Sequence, residues 1–311
     1  MVDITIAEAR QRKIREEYFK NLIGWISKNR LWSGLGDAKA DDMMQYISGH
    51  DREYFLAPAT ELKKKSDDFS GIFNTEKTMY ELAKGKAKLT TSYGLFIKRM
   101  RKIYNGFMQD AYNNKMKNGY WLMKELDVKV CPYCNRNYTI TIATSKVSVR
   151  PEYDHFYPEA LHPSLILSFY NFVPSCPQCN HLKKTQELDV NPWIGYSIGA
   201  RPKFRVDTST GDFPANPKIK VEHSDKNTIH LGIKELYNEH RDYVKEILDK
   251  IQAYNPVTYG AIRKDFQGIV HTESELERIV WGNYTKEEDL GKRPFAKLTV
   301  DILEQYKKYL V

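Results

Sequence analysis

The 311-residue sequence has no uninterrupted apolar run of the roughly 18 residues that a membrane-crossing helix needs. Its amino-terminal stretch, MVDITIAEARQRKIREEYF, carries acidic side chains early and no apolar segment of signal-peptide length. These two absences give the expectation of a cytoplasmic chain without a membrane partner. The 17 glycines and 13 prolines are scattered, no internal repeat recurs, and mean hydropathy is −0.61 with 41% hydrophobic residues. Collagen-like, low-complexity and solenoid architectures are thereby excluded, and the length suffices for a buried core. Cysteine is scarce as well. All four fall in two pairs, Cys131-Pro-Tyr-Cys134 and Cys176-Pro-Gln-Cys179, and none is left over.

Charge is present and unevenly placed. The net formal charge is +8. From Lys84 to Lys129 there are eleven basic residues (Lys84, Lys86, Lys88, Lys98, Arg99, Arg101, Lys102, Lys115, Lys117, Lys124, Lys129) against three acidic ones (Asp110, Glu125, Asp127), a difference equal to the whole excess. Such a run is either a solvated helix face or an electrostatic footprint for an anionic partner. Aromatic residues interleave with it (Tyr93, Phe96, Tyr104, Phe107, Tyr112, Tyr120, Trp121). At helical spacing they belong to a core, although the same rings suit stacking on unpaired bases.

Periodicity divides the chain into three regions. Residues 1–125 read as helical: Thr5–Leu31 carries Ile14, Tyr18, Leu22, Trp25 and Ile26 on one face, with Thr5 and Glu8 in capping-box spacing. Short helical patterns follow at Asp41–Ser48 and Thr75–Ala83, and one long helix is expected from about Ser92 to Lys124 on the rhythm of Phe96, Met100, Ile103, Phe107, Ala111, Tyr112 and Met116. In residues 126–192 the period changes to that of strands, giving an expected hairpin from Tyr138 through Thr144-Ser-Lys to Asp154, then a helix over Asn180–Leu188. Residues 193–311 mix strands near Phe204–Val206 and Ile219–Val221 with helices at about Leu231–Tyr254, Thr258–Gln267, Glu273–Ile279 and Leu298–Tyr309. The expected class is α+β, a mainly helical chain enclosing a small metal-bound core.

A C-x-x-C turn aims two sulfurs at one point, and two such turns complete the tetrahedron Zn²⁺ prefers. Disulfides are disfavoured in a cytoplasmic setting, and a redox pair needs only one C-x-x-C. Cys131, Cys134, Cys176 and Cys179 are therefore expected to hold a structural Zn²⁺. Four thiolates leave no open position, so chemistry must lie between the pairs. There the sequence reads Tyr153-Asp154-His155-Phe156-Tyr157-Pro158, then Asn171-Phe172-Val173-Pro174, then Cys179-Asn180-His181-Leu182-Lys183-Lys184.

The order C-x-x-C, D-H, N, C-x-x-C-N-x-x-K resembles the HNH endonuclease family over about 55 residues. The resemblance implies a ββα-metal core, with a hairpin, a crossing loop and a helix around one catalytic cation, Mg²⁺ or Mn²⁺. It implies that His155 is the general base and that Asp154 and Asn180 are the catalytic-metal ligands. It also implies that Asn171 fixes the loop that orients the base. His181 directly follows Asn180 and is the alternative second ligand, since some relatives use His there. Lys183 and Lys184 lie one turn along the same helix, either as phosphate contacts or as a solvated pair. Where relatives often carry Lys or Arg after the D-H-x-x-P turn, this chain has Glu159.

The phrases Cys131-Pro-Tyr-Cys-Asn-Arg-Asn-Tyr138, Asp154-His-Phe-Tyr-Pro158 and Ser168-Phe-Tyr-Asn-Phe-Val-Pro174 look like a bacterial branch that includes the HNH nuclease subunit of Septu-type and retron-linked anti-phage defence systems. That likeness implies a partner ATPase of the SMC/ABC type and a nucleic-acid substrate, DNA by family habit, with RNA open. The reading from another class is a zinc-stabilised module that binds nucleic acid or a partner without cleaving it.

Overall fold

The structure is a computed structural model that describes residues 1–109, 117–144 and 146–310. The chain folds into two compact units built from non-consecutive segments. One holds residues 5–128 and 140–194, the other residues 1–4, 129–139 and 195–311. The class is α+β, helices with small antiparallel two-stranded sheets. The units cut across the three consecutive regions of the sequence, since residues 129–139 group with the carboxy-terminal segment.

The first unit opens with α1 (Glu8–Lys28), α2 (Ala38–Gly49), α3 (Asp51–Phe55), α4 (Leu62–Ile72) and α5 (Asn74–Leu82). The face expected of α1 is the buried one: Ile14, Tyr18, Leu22 and Ile26 point inward. Its cap differs from the expected Thr5–Glu8 box. Ala7 is the N-cap and no side chain caps it, because Thr5 lies too far upstream once the helix starts at Glu8. The long helix expected over Ser92–Lys124 is instead α6 (Ser92–Met108) and α7 (Gly119–Leu126). Asn118 is extended and its Oδ1 accepts from the Tyr120 and Trp121 amides, so this Asn-Gly step starts a new helix. Ala111, Tyr112, Lys115 and Met116 lie outside the described residues. Tyr93, Phe96, Tyr104 and Phe107 are buried in one large core with side chains from α1 and α2.

The expected hairpin ending at Asp154 is shorter. It consists of β1 (Ile142–Ala143) and β2 (Ser148–Val149), after which Arg150-Pro151 interrupts the ladder. Glu152 to His155 form β3, which pairs antiparallel with β4 (Phe172–Ser175), with Asp154 opposite Val173 and His155 opposite Phe172. The segment between these strands is buried in the core through Leu165, Ile166, Leu167 and Phe169. It is tied to the helices by Tyr18 Oη donating to the Leu167 carbonyl at 2.8 Å and Ser168 Oγ donating to the Tyr54 carbonyl at 2.7 Å. Helix α8 (Pro177–Lys183) follows β4 at once and packs on β3, so that β3, β4 and α8 form a ββα arrangement.

In the second unit β5 (Lys203–Val206) pairs with β6 (Ile219–Glu222), as the sequence suggests. Helices α9 (Lys226–His230), α10 (Ile233–Asn238), α11 (Arg241–Ala253), α12 (Pro256–Asp265), α13 (Glu273–Trp281) and α14 (Ala296–Gln305) complete it. The single helix expected over Leu231–Tyr254 is thus two, α10 and α11. Among the described residues no helix is long and apolar enough to cross a membrane.

Candidate functional site

The first cysteine pair is shaped by its own backbone. Val130 and Tyr138 form an antiparallel bridge, the Cys131 amide donates to the Asn137 carbonyl at 2.9 Å, and the Asn135 amide donates to the Cys131 carbonyl at 2.8 Å. Asn135 adopts a left-handed backbone, φ 52°, that Asn tolerates better than most residues. Its buried side chain donates to the Leu290 carbonyl and accepts from the Lys297 amide, and the Arg136 amide approaches Cys134 Sγ at 3.4 Å. The second pair is set by α8, whose N-cap is Cys176 with Pro177 at its first position. All four cysteines are buried, none is in a disulfide, and their sulfurs lie within 4.8 Å of one another. Four sulfurs so gathered, shielded from water, can bind a structural metal such as zinc.

A cleft of about 600 Å³ opens over β3 and α8, lined among others by Glu152, Asp154, His155, Asn180 and Lys184. His155 is nearly buried, its ring against Tyr104 and Phe172 at centroid distances of 4.9 and 5.4 Å. Its Nε2 lies 2.9 Å from the Ile166 carbonyl oxygen. A carbonyl only accepts, so Nε2 carries the proton and Nδ1 is left as the ring's acceptor. Burial pushes the His155 pKa down, against a smaller upward pull from that carbonyl, so the ring is neutral at neutral pH. Tyr104 beside it is pushed up to about 12 by burial and stays a neutral phenol.

Asn171 is fully buried and ties the segment between the strands together. Its Oδ1 accepts from the Tyr157 amide at 2.7 Å, and its Nδ2 donates to the Tyr157 and Leu165 carbonyls, both at 3.1 Å. The residue after Leu165, Ile166, supplies the carbonyl that holds His155, so Asn171 fixes the segment that orients the ring. Asn180 lines the cleft and donates from Nδ2 to Glu152 Oε2 at 2.7 Å, whereas His181 is exposed and does not line it.

Lys183 requires a correction. The sequence reading set it on the helix surface, as a phosphate contact or as one of a solvated pair, but it is 0% exposed, its Nζ donating to Asp154 Oδ1 at 3.0 Å and to the His155 carbonyl at 2.7 Å. A lysine with its ammonium spent inside the protein cannot reach a phosphate. The missed signal was helical spacing, because Lys183 lies four residues after Cys179 and so shares its buried face. Lys184 does line the cleft. Three other cleft groups had been given no role there: Glu152, two residues before Asp154 and so on the same strand face, Arg150 just before that strand, and Arg101 of α6, whose Nε lies 2.9 Å from Glu159 Oε1. Two more residues of the basic segment are structural: Arg99 donates to the Leu31, Ser33 and Gly34 carbonyls, and Lys117 pairs with Glu17.

Glu152, Asp154 and Asn180 offer hard oxygen donors of the kind Mg²⁺ or Mn²⁺ takes, but one Asp154 oxygen already faces an ammonium. Among the described residues the four cysteines are the only group of three or more His, Cys, Asp or Glu side chains placed to hold a metal. No family model, curated protein or solved structure matches this chain.

Proposed function

We propose that the chain is a metal-dependent nuclease of the HNH type that hydrolyses phosphodiester bonds in nucleic acid. The observation that carries this reading is the neutral His155, fixed through Nε2 with Nδ1 as acceptor, in a cleft it shares with Asp154 and Asn180. Hydrolysis of a phosphodiester needs a proton acceptor for the attacking water, and a buried, oriented, neutral imidazole is suited to that task. Asn171 keeps the Ile166 carbonyl in place behind the ring. Asp154 and Asn180 are the residues that would hold Mg²⁺ or Mn²⁺, with Glu152 as a third oxygen donor. When bound, the cation would supply charge stabilisation at the phosphate and the leaving oxygen. The β3, β4 and α8 arrangement supports the reading, since it sets these groups on a hairpin and the helix that follows. The cysteines would hold zinc as a closed structural clamp.

The test is cleavage of plasmid DNA and of RNA, side by side, with Mg²⁺ and with Mn²⁺. His155→Ala is expected to lower the rate by at least about 100-fold, the low end for loss of a general base. Zinc content should be unchanged and the melt should stay cooperative, at a lower temperature because a buried, hydrogen-bonded ring is lost. Undiminished cleavage by this variant overturns the assignment. DNA is the preferred substrate and bacterial anti-phage defence the setting that the sequence resemblance suggests, with an SMC/ABC-type ATPase as partner. Repeating the assay with such an ATPase from the same operon checks for activation.

One observation favours a second reading, a binding module without cleavage: Lys183 neutralises Asp154 in the place where a metal ligand is required. Binding that persists in EDTA, with no cleavage under any divalent ion or with the partner, would select it.

A further inference from the structure

Of the cations that line the cleft, Arg101 has its charge paired with Glu159, and its Nε, like that of Arg150, is buried without a hydrogen-bond partner. Arg150 is held differently. Its guanidinium carbon lies 5.2 Å from the centre of the Tyr120 ring and 5.0 Å from that of Tyr153, so two aromatic rings fix it. Nη1 donates to the Pro151 carbonyl at 2.8 Å, yet Nε is buried without a hydrogen-bond partner, and none of the ion pairs among the described residues involves Arg150. A guanidinium carries five N–H donors in a planar fork suited to two oxygens of one phosphate, and a buried donor left unmet is destabilising until a ligand satisfies it. Position adds to this. Arg150 ends the β1–β2 hairpin and stands two residues before Glu152, in the cleft that holds Asp154 and His155.

We propose that Arg150 is the phosphate-binding residue of the cleft, a pre-organised clamp for one backbone phosphate of the nucleic-acid chain. The inference deepens the nuclease reading and rests on it for the identity of the anion. The rings of Tyr120 and Tyr153 remove the rotamer freedom that a surface arginine loses on binding, so the clamp is built before the ligand arrives. Lys184, exposed just past the end of α8, is a point charge on a flexible stem by comparison.

The experiment is fluorescence anisotropy of a short labelled single-stranded oligonucleotide in EDTA, where cleavage is stopped, over a range of salt concentrations. Arg150→Ala is expected to raise Kd about tenfold and to reduce the slope of log K against log salt by about one phosphate contact. Arg150→Lys should keep the slope and recover only part of the affinity. An unchanged slope in a folded Arg150→Ala protein overturns the clamp. The wild-type protein provides a check independent of folding: inorganic phosphate should slow phenylglyoxal modification of Arg150, and absence of protection likewise overturns it. The two readings fail separately. Arg150-dependent binding by a wild-type chain that never cleaves supports the clamp and sinks the nuclease, whereas full cleavage with Arg150-independent binding does the reverse.

Discussion

At the scale of single residues, the buried Lys183 ammonium is the group whose loss should be felt most. It is 0% exposed and Asp154 is 3% exposed, so removing either partner strands a charge inside the protein. Lys183→Ala is expected to cost about 3–5 kcal/mol, read from the urea midpoint. Adding Asp154→Ala should recover part of that loss, because the orphaned carboxylate goes too, and a double variant no better than the single would refute the pairing. A second polar relay, buried at Ser66 and His162 and exposed at Glu187, runs from Ser66 Oγ to His162 Nδ1 at 2.8 Å and from His162 Nε2 to Glu187 Oε1 at 2.8 Å. Burial pushes the His162 pKa below 6.5, against the opposing pull of Glu187. The unfolded chain then takes up a proton at about pH 6.5, before the folded one does. The stability due to neutral His162 is full above that pH and is lost as pH falls toward the lowered folded value. His162→Gln should destabilise by about 1–3 kcal/mol near neutral pH, and melting curves should show the gap to wild type narrowing as pH falls below 6.5. A gap constant with pH would place the histidine's contribution in packing alone.

At the scale of elements, the junction between α6 and α7 makes a sharp prediction. Gly119 opens α7 so close to the end of α6 that a Cβ there would overlap the Met108 carbonyl oxygen, whereas a Cβ at Gly24, inside α1, would meet nothing within 4 Å. Gly119→Ala should therefore destabilise the fold, while Gly24→Ala should stabilise it by about 0.5–1 kcal/mol, the ordinary helical preference for Ala. Equal shifts of the two melting temperatures would disprove the close approach. The same junction marks what sequence could and could not disclose. The inward faces of α1 and α6 were legible because helical period survives whatever the helix packs against. The break at Asn118 was not, since an Asn-Gly step inside a regular apolar rhythm weighs little against the rhythm until its capping bonds are seen. Strand β4 was hidden for a related reason. Phe172-Val-Pro-Ser is buried throughout and contains a proline, so it lacks the alternation that betrays a half-buried strand. Within the site, local motifs carried His155, Asp154 and the cysteines. The places of Arg101 and Arg150 in the cleft depend on segments far apart in the chain, which no spacing rule encodes, whereas the burial of Lys183 follows from its four-residue spacing from Cys179 on one helix face.

At the scale of the whole molecule, the nuclease reading assigns two metals to opposite kinds of site, and each should be removable without the other. The four buried cysteines bracket a stretch of 41 residues between Cys134 and Cys176, and a metal bound by them would constrain that stretch in the folded state only. Binding energy at such a site is folding energy, so stripping it should abolish a cooperative melt rather than merely lower activity. Any ion at Asp154 and Asn180 would have few protein ligands and share its carboxylate with Lys183, and should exchange freely. EDTA at low concentration followed by gel filtration is thus expected to stop cleavage while leaving one zinc per chain and an unchanged melting temperature, with Mg²⁺ or Mn²⁺ alone restoring the rate. Cys176→Ser should do the opposite: lose zinc, measured by elemental analysis, and lose the cooperative transition, which added Mg²⁺ cannot restore. A Cys176→Ser protein that keeps both its metal and its melt would show that the cysteines do not form the clamp, and the division between structural and catalytic metal would fall with it.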